Sequence, residues 1–220
     1  MNAGTTIKQF FDALLSAYGP QGWWPGNSRT ECVVGAILTQ NTSWKNVEKA
    51  LARMNAAGLM DWTALRDVAE PDLADRIRPA GYYNLKARRL KNFVVWLWDH
   101  YGGDLDRLET VSLVELREEM LGINGIGFET ADAILLYALG KPSFVVDTYT
   151  GRVARRHGLI DEESDYEQLK ALFERNLPED VALFNEYHAL LVEVGKRHCK
   201  PRAKCDGCPL AVFEHDETRR

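Results

Sequence analysis

Long apolar runs are missing from this chain of 220 residues. The longest, such as Ala133-Ile-Leu-Leu-Tyr-Ala-Leu139, fall far short of the roughly 20 residues that span a bilayer, so no membrane partner is expected. The first ten residues hold one lysine and several polar interruptions. They lack the basic-then-apolar order of a signal peptide, and a cytoplasmic setting follows. Glycine (17) and proline (8) are too few for long linkers. Alternating strand patterns are absent as well, since Phe144-Val145-Val146 is too brief for more than an extended buried connector. Positive charge is in deficit, 27 Lys and Arg against 32 Asp and Glu, for a net charge of -5. That weighs mildly against a nucleic-acid partner, because local placement of charge matters more than the total. Lys86, Arg88, Arg89 and Lys91 form one local basic group, and Lys196, Arg197, Lys200, Arg202 and Lys204 another; solvated helix faces would produce the same groups. Cysteine is scarce, with four in all. Cys32 sits in an apolar run and reads as a small buried hydrophobe. Cys199, Cys205 and Cys208 crowd the C-terminus, and in a chain without secretory features that spacing points to metal ligation rather than disulfides.

What is present is helical periodicity. Ile7, Phe10, Phe11, Leu14, Leu15 and Tyr18 recur at three and four residues, the stripe of an amphipathic first helix. Glu31 to Leu38 is almost wholly apolar and reads as a central buried helix. Asn41 or Thr42 is positioned to cap the next helix, and Ser112 and Ser164 each open a capping-box pattern. A basic helix is expected from Lys86 to about Tyr101, a further one over Thr130–Leu139, one capped by Thr148, and a last long one over Phe184–Val194. The class is all-α.

Two of these helices are joined by Leu121-Gly-Ile-Asn-Gly-Ile-Gly127. The spaced glycines permit unusual backbone angles and remove side chains, so a phosphate can approach the amides that open the second helix, with Ile123 and Ile126 turned inward. Such a hairpin grips a nucleic-acid backbone with little side-chain charge. Beyond it, Val145-Val146-Asp147-Thr148 places a carboxylate behind a buried pair and beside a helix start. Asp147 reads either as a helix cap or as a catalytic group.

With these residues in view, the chain resembles the endonuclease III superfamily of helix-hairpin-helix DNA glycosylases over nearly its whole length. Gln40-Asn41-Thr42, Gly81-Tyr82-Tyr83-Asn84, the glycine hairpin, Val146-Asp147-Thr148 and the cysteine-bearing tail follow the family's order. The resemblance implies a single glycosylase unit of two helical lobes with a cleft between them. Residues 22–131 would form a helical barrel with the hairpin, and 1–21 plus 132–220 a terminal lobe with the tail. It implies a monomer in the nucleoid, with double-stranded damaged DNA as partner. Asn124, Gly125 and Gly127 would hold the DNA backbone, in company with a structural monovalent cation, while Gln40 fills the gap in the duplex and Tyr82 wedges beside it. Lys196 and Arg197 add backbone contacts. Asp147 matches the family's catalytic aspartate, which stabilises the positive charge left on the sugar as the base departs.

Strand-cutting members carry a Schiff-base lysine at the start of the second hairpin helix. Glu129 stands there, and a carboxylate cannot form a Schiff base, so release of a base without strand cleavage is implied. Trp23-Trp24-Pro25 resembles a run in the bacterial 3-methyladenine glycosylase branch, and Trp44 matches a further pocket aromatic. Flat, electron-poor alkylated purines stack well on indole, although packing in a lobe core would use the same residues. The expected activity is hydrolysis of the N-glycosidic bond of alkylated purines such as 3-methyladenine. The alternatives are an oxidised-pyrimidine or mismatch glycosylase with AP-lyase activity, and a noncatalytic damaged-DNA-binding protein.

The tail resembles the family's iron-sulfur loop in depleted form. Family cysteines are separated by six, two and five residues; here the gaps are five and two, with Glu214 at the last position. A [4Fe-4S] cluster with a fourth ligand from Glu214, His198 or His215, a zinc ion on three thiolates and a histidine, and no metal all remain open.

Overall fold

The computed structural model describes residues 3–23 and 28–219. The chain divides into two compact units, Met1–Trp23 with Pro142–Arg220, and Trp24–Lys141. Every regular element among the described residues is helical.

The unit Trp24–Lys141 is built around α2 (Arg29–Leu38). Ser28 caps it, accepting the Glu31 amide, and all residues from Glu31 to Leu38 are buried. The buried Glu31 carboxylate accepts from Asn55 Nδ2 at 2.8 Å. That asparagine lies on α3 (Trp44–Ala56), followed by α4 (Trp62–Asp67), α5 (Glu70–Arg76) and the long α6 (Tyr83–Tyr101). Lys86 of α6, expected in a basic surface group, is instead buried. Its Nζ donates to the carbonyls of Leu38 (2.9 Å) and Ala80 (2.7 Å), closing the C-terminal end of α2. Burial, with the neighbouring charge of Arg89, pushes the Lys86 pKa down to about 8.

The hairpin helices are α7 (Leu113–Leu121) and α8 (Phe128–Ala133), the latter continuing as a π-helical turn over Ile134–Ala138. This continuation packs on α2 with Ile134, Leu135, Leu136 and Ala138 buried. The chain therefore leaves the unit at 141–142, later than the expected 131–132. Arg117 on α7 and Asp132 on α8 form a two-pronged ion pair, Nε to Oδ1 at 2.8 Å and Nη2 to Oδ2 at 3.0 Å. Asp132 is fully buried, so this pair clamps the two hairpin helices from inside.

In the other unit, α1 (Ala3–Tyr18), α9 (Thr148–Arg156), α10 (Tyr166–Glu174) and α11 (Val181–Arg197) surround an aromatic core. Phe144 stacks on Phe173 with ring centres 4.5 Å apart and meets Phe184 edge-on. Tyr187 Oη donates to the Ile7 carbonyl at 2.7 Å, tying α11 to α1. Phe144-Val145-Val146 is extended and buried, as expected, without a sheet partner among the described residues. Side chains meet its backbone: the Phe144 amide donates to Glu174 Oε1 at 2.9 Å and the Val146 amide to the Tyr166 hydroxyl at 3.4 Å. α9 and α11 approach closely at Gly195, where a Cβ would lie 2.3 Å from Tyr149 Cδ1.

Three caps differ from the sequence expectation. Ser43 precedes α3, because Asn41 takes a left-handed φ of 53° and turns the chain away. Thr148 does not cap α9, and Asp147 does, as one of its two readings had it. The second capping box is Asp165 with Gln168, one residue later than Ser164 with Glu167.

Removing one member of a buried ion pair leaves the other uncompensated. Asp132→Ala is expected to lower unfolding free energy by about 3–5 kcal/mol, measured by urea denaturation. A loss below about 1 kcal/mol would show that the pair does not clamp the hairpin.

Candidate active site and nucleic-acid interface

The apolar pair Val145-Val146 is buried, and the chain stays extended through Asp147 (φ -128°) before turning into α9. Asp147 Oδ1 accepts from the Thr150 amide (2.8 Å) and the Thr150 hydroxyl (3.0 Å). The cap occupies one carboxylate oxygen. The other, Oδ2, lies 3.7 Å from His188 Nε2, beyond hydrogen-bond length but within reach of an ion pair. Both side chains are largely withdrawn from water, at 13% and 7% exposure for Asp147 and His188. Burial alone would raise the Asp147 pKa. The facing His188 imidazole, with the Thr150 amide and hydroxyl, outweighs burial and holds the carboxyl below its ordinary value of 3.8. The result is a fixed anion at the positive end of a helix. Helix capping and an available carboxylate oxygen thus coexist at Asp147.

His188 was not singled out from the sequence, although a signal existed. It lies on the buried stripe Phe184, Tyr187, Leu191 and Val194 of α11, where an ionisable group needs a polar partner. The Trp23 ring packs on the imidazole with centres 5.5 Å apart, and Lys196 Nζ stands 5.8 Å from the Trp23 ring centre. His188 thus joins Asp147 to Trp23, and Trp23 in turn meets Lys196. Arg197 instead pairs with Glu193 and stacks over Tyr18 at 4.8 Å. Trp24 and Pro25 lie outside the described residues. Trp44 is half-buried at the start of α3, in the unit Trp24–Lys141, whereas Trp23 belongs to the other unit.

In the hairpin Ile123 and Ile126 are buried, as expected. Gly125 has φ +98°, and a Cβ there would meet the Arg89 stem at 2.2 Å, so glycine is required twice over. Gln40 Nε2 donates to the Gly125 carbonyl (3.1 Å) and to Thr130 Oγ1 (2.9 Å), while its Oε1 accepts from Arg89. Asn92 Nδ2 donates to the Asn124 carbonyl at 2.8 Å. Gln40 is thereby placed on the hairpin itself, bracing it. Gly127 opens α8, and a Cβ there would meet nothing within 4 Å, so the outward face of the turn is clear. Glu129 is exposed in the first turn of α8. Tyr82 has φ 44° just after Gly81 at 69°, and this pair of left-handed residues presents a phenol ring that is 71% exposed.

The tail after α11 surrounds a small cavity lined by Cys199, Cys205, Cys208, His157, His198 and His215 among others. Arg156 holds the loop through Cys199 Sγ (3.2 Å) and the carbonyls of Lys200 (2.7 Å) and Pro201 (2.9 Å). Glu214, at the missing cysteine position, has an exposed side chain, and its carbonyl accepts from His157 Nδ1 at 3.0 Å. The donor set does not fit a cluster held by four thiolates, since the tail has three. Cys205, His215 and Glu217 do bring one ligand atom each within 4.8 Å of one another, a set able to hold a metal ion.

The sequence profile of the HhH-GPD superfamily of base excision DNA repair proteins matches residues 34–179. The chain is 49% identical to a Methanocaldococcus jannaschii protein provisionally named a DNA repair glycosylase, over 94% of each chain. It is 31% identical to endonuclease III of Thermotoga maritima, over 81% of this chain and 78% of that one. Among solved structures it is similar to the Helicobacter pylori 3-methyladenine DNA glycosylase bound to 1,N6-ethenoadenine, with TM-score 0.77, 28% identity, and 90% and 98% of the two chains covered. A covalently trapped endonuclease III–DNA complex shares the fold at TM-score 0.83 and 22% identity, covering 97% and 96%.

Asp147→Asn keeps an oxygen for the Thr150 cap and removes only the charge. A carboxyl held below 3.8 stabilises the fold above that value, and the contribution is lost as pH falls through the folded-state pKa. The stability margin of the parent over this variant should be open at about pH 5 and shrink steadily on acidification. A margin that widens on acidification would contradict the depressed pKa.

Proposed function

Because the chain belongs to the HhH-GPD superfamily and is a DNA N-glycosylase of base excision repair, we propose that it removes its target base by hydrolysis alone, with Asp147 as the catalytic carboxylate. The observation that carries this reading is the buried anion at Asp147, one oxygen fixed by Thr150 and the other not taken by the cap. A glycosidic bond cannot be attacked inside the base stack, so the nucleotide is rotated out of the duplex. As the base leaves, positive charge grows on the sugar, and a carboxylate fixed beforehand stabilises it without reorganisation. The same oxygen orients the incoming water and accepts its proton. His188 is a positioning residue in this scheme, keeping Asp147 ionised and directed.

The hairpin amides from Gly125 to Glu129 receive a backbone phosphate, aided by a monovalent cation, with Gln40 and Tyr82 at the vacated stack. This explains DNA binding by a chain of net charge -5. Glu129, replacing the lysine of strand-cutting relatives, leaves no amine at that position to attack the sugar. The protein works as a monomer on damaged duplex DNA in the nucleoid. Among the described residues no helix is long and apolar enough to cross a membrane.

Two base classes are proposed. Trp23 on His188, beside Asp147, favours a flat alkylated purine such as 3-methyladenine. Kinship to proteins named endonuclease III, at 27–31% identity, gives more weight to the second class, an oxidised pyrimidine or mismatched base.

Duplexes carrying each lesion separate these readings when free base and strand breaks are scored independently. The parent is expected to release a base and leave strands intact until alkali is added. Asp147→Asn should lose about 10²–10³-fold or more in release rate while DNA binding is retained. Breaks arising with base release would show that another amine replaces the missing lysine. Binding of lesions with no release from any of them would point to a noncatalytic damage-binding protein.

A further inference from the structure

We propose that the C-terminal tail holds one tetrahedral divalent metal ion of zinc type, ligated by Cys205 Sγ, His215 Nε2 and the Glu217 carboxylate, with Cys208 at the fourth corner. The proposal is independent of the glycosylase reading, because it concerns only the tail and its packing.

The spacing of the donors is that of a single ion. Zinc bonds of about 2.0–2.3 Å place tetrahedral ligand atoms about 3.3–3.8 Å apart. The three ligand atoms of Cys205, His215 and Glu217 already lie within 4.8 Å of one another, so small side-chain rotations close the shell. The donor types agree as well. Thiolate, imidazole and carboxylate together suit zinc, whereas calcium and magnesium select oxygen alone.

The histidine is prepared for ligation. His215 Nδ1 lies 2.8 Å from the Phe213 carbonyl, and a carbonyl can only accept, so Nδ1 carries the proton. Nε2 then offers a lone pair, and it is this nitrogen that faces Glu217, 4.0 Å from Oε1. A ligand histidine whose other nitrogen is fixed by a backbone carbonyl is the usual outer-shell arrangement at zinc.

Cys208, carried on the turn Cys205-Asp-Gly-Cys208, is the thiol that would swing in to take the fourth corner, since the three ligand atoms already gathered are those of Cys205, His215 and Glu217. The Cys208 amide donates to the Cys205 carbonyl at 3.0 Å and Gly207 takes φ +69°, so the two thiols are carried on one tight turn. Cys208 lines the same cavity as Cys205 and His215. Cys199 lines that cavity too, but its sulfur is engaged by Arg156 Nη1, from which it accepts. One thiol is thus held by a guanidinium and two remain for the ion, which accounts for all three tail cysteines without a cubane. The Arg156 bonds to the carbonyls of Lys200, Pro201 and Arg219 place the loop independently of an ion. Metal removal should accordingly loosen the tail without unfolding the chain.

The test uses the untagged 220-residue protein, stripped with chelator and titrated with Zn2+ and, separately, Co2+. One equivalent of either ion should bind. The cobalt form should show the intense visible bands of a tetrahedral site together with sulfur-to-cobalt charge transfer. His215→Ala and Glu217→Gln should each weaken Zn2+ binding at least about 10-fold, while Cys199→Ser binds as the parent does. Far-UV circular dichroism of each variant separates lost ligation from lost folding. Four irons with inorganic sulfide per chain after anaerobic reconstitution, and broad absorption near ~400 nm, would overturn the proposal. So would an octahedral cobalt spectrum, or Zn2+ affinity unchanged in both folded variants.

Discussion

A carboxylate kept ionised away from water must be surrounded by donors before it can act on anything else. At Asp147 this requirement organises the unit around it. Thr150 supplies two hydrogen bonds from the first turn of α9, and His188 supplies an imidazole from α11. The connector 144–146 reaches the site as extended backbone because side chains from α10 and its vicinity meet its amides. A strand-like trio without a sheet is tolerable only under that condition. The aromatic core of Phe144, Phe173 and Phe184 then holds the connector against the helices. The fold of this unit can be understood as the means of holding one negative charge in a dry place.

On the proposed reading the hairpin unit meets a different demand, the presentation of bare backbone amides. Side chains cannot guard that surface without blocking it, so support comes from behind. Arg117 and Asp132 join the two helices internally, while Gln40 and Asn92 hold the carbonyls of Gly125 and Asn124. Arg89 fills the space left by the missing Gly125 side chain and bonds Gln40. The rigidity of the turn is therefore supplied by the segment after α2 together with α6, α7 and α8. An acidic protein can recognise a polyanion this way because peptide dipoles substitute for basic side chains.

Much of this was legible from spacing alone: the helical class, the buried run of α2, the inward isoleucines and the connector. Caps were displaced by one or two residues because Ser, Thr, Asn and Asp stand side by side at these boundaries and share the same capping chemistry. Only the backbone angle decides among them, as φ 53° at Asn41 shows. Lys86 and His188 were missed for one shared reason. Each occupies a buried stripe, Lys86 with Leu90, Phe93 and Leu97, and His188 with Phe184, Leu191 and Val194. Grouping Lys86 with its charged neighbours in sequence hid its helical register, which would have turned it inward. His215 was among the ligands offered for the cysteine tail, but Glu217 was beyond reach, because it lies past the cysteine pattern and no periodicity links it to Cys205.

The contact between α9 and α11 at Gly195 carries one more consequence. A single added carbon there would collide with the Tyr149 side chain, and relief would come from moving α9, which Asp147 caps. The distance from that carboxylate to His188 is thus gauged by an atom that is not present, at a residue with no reactive group of its own. The spacing of these two helices can therefore change only by coordinated replacement on both.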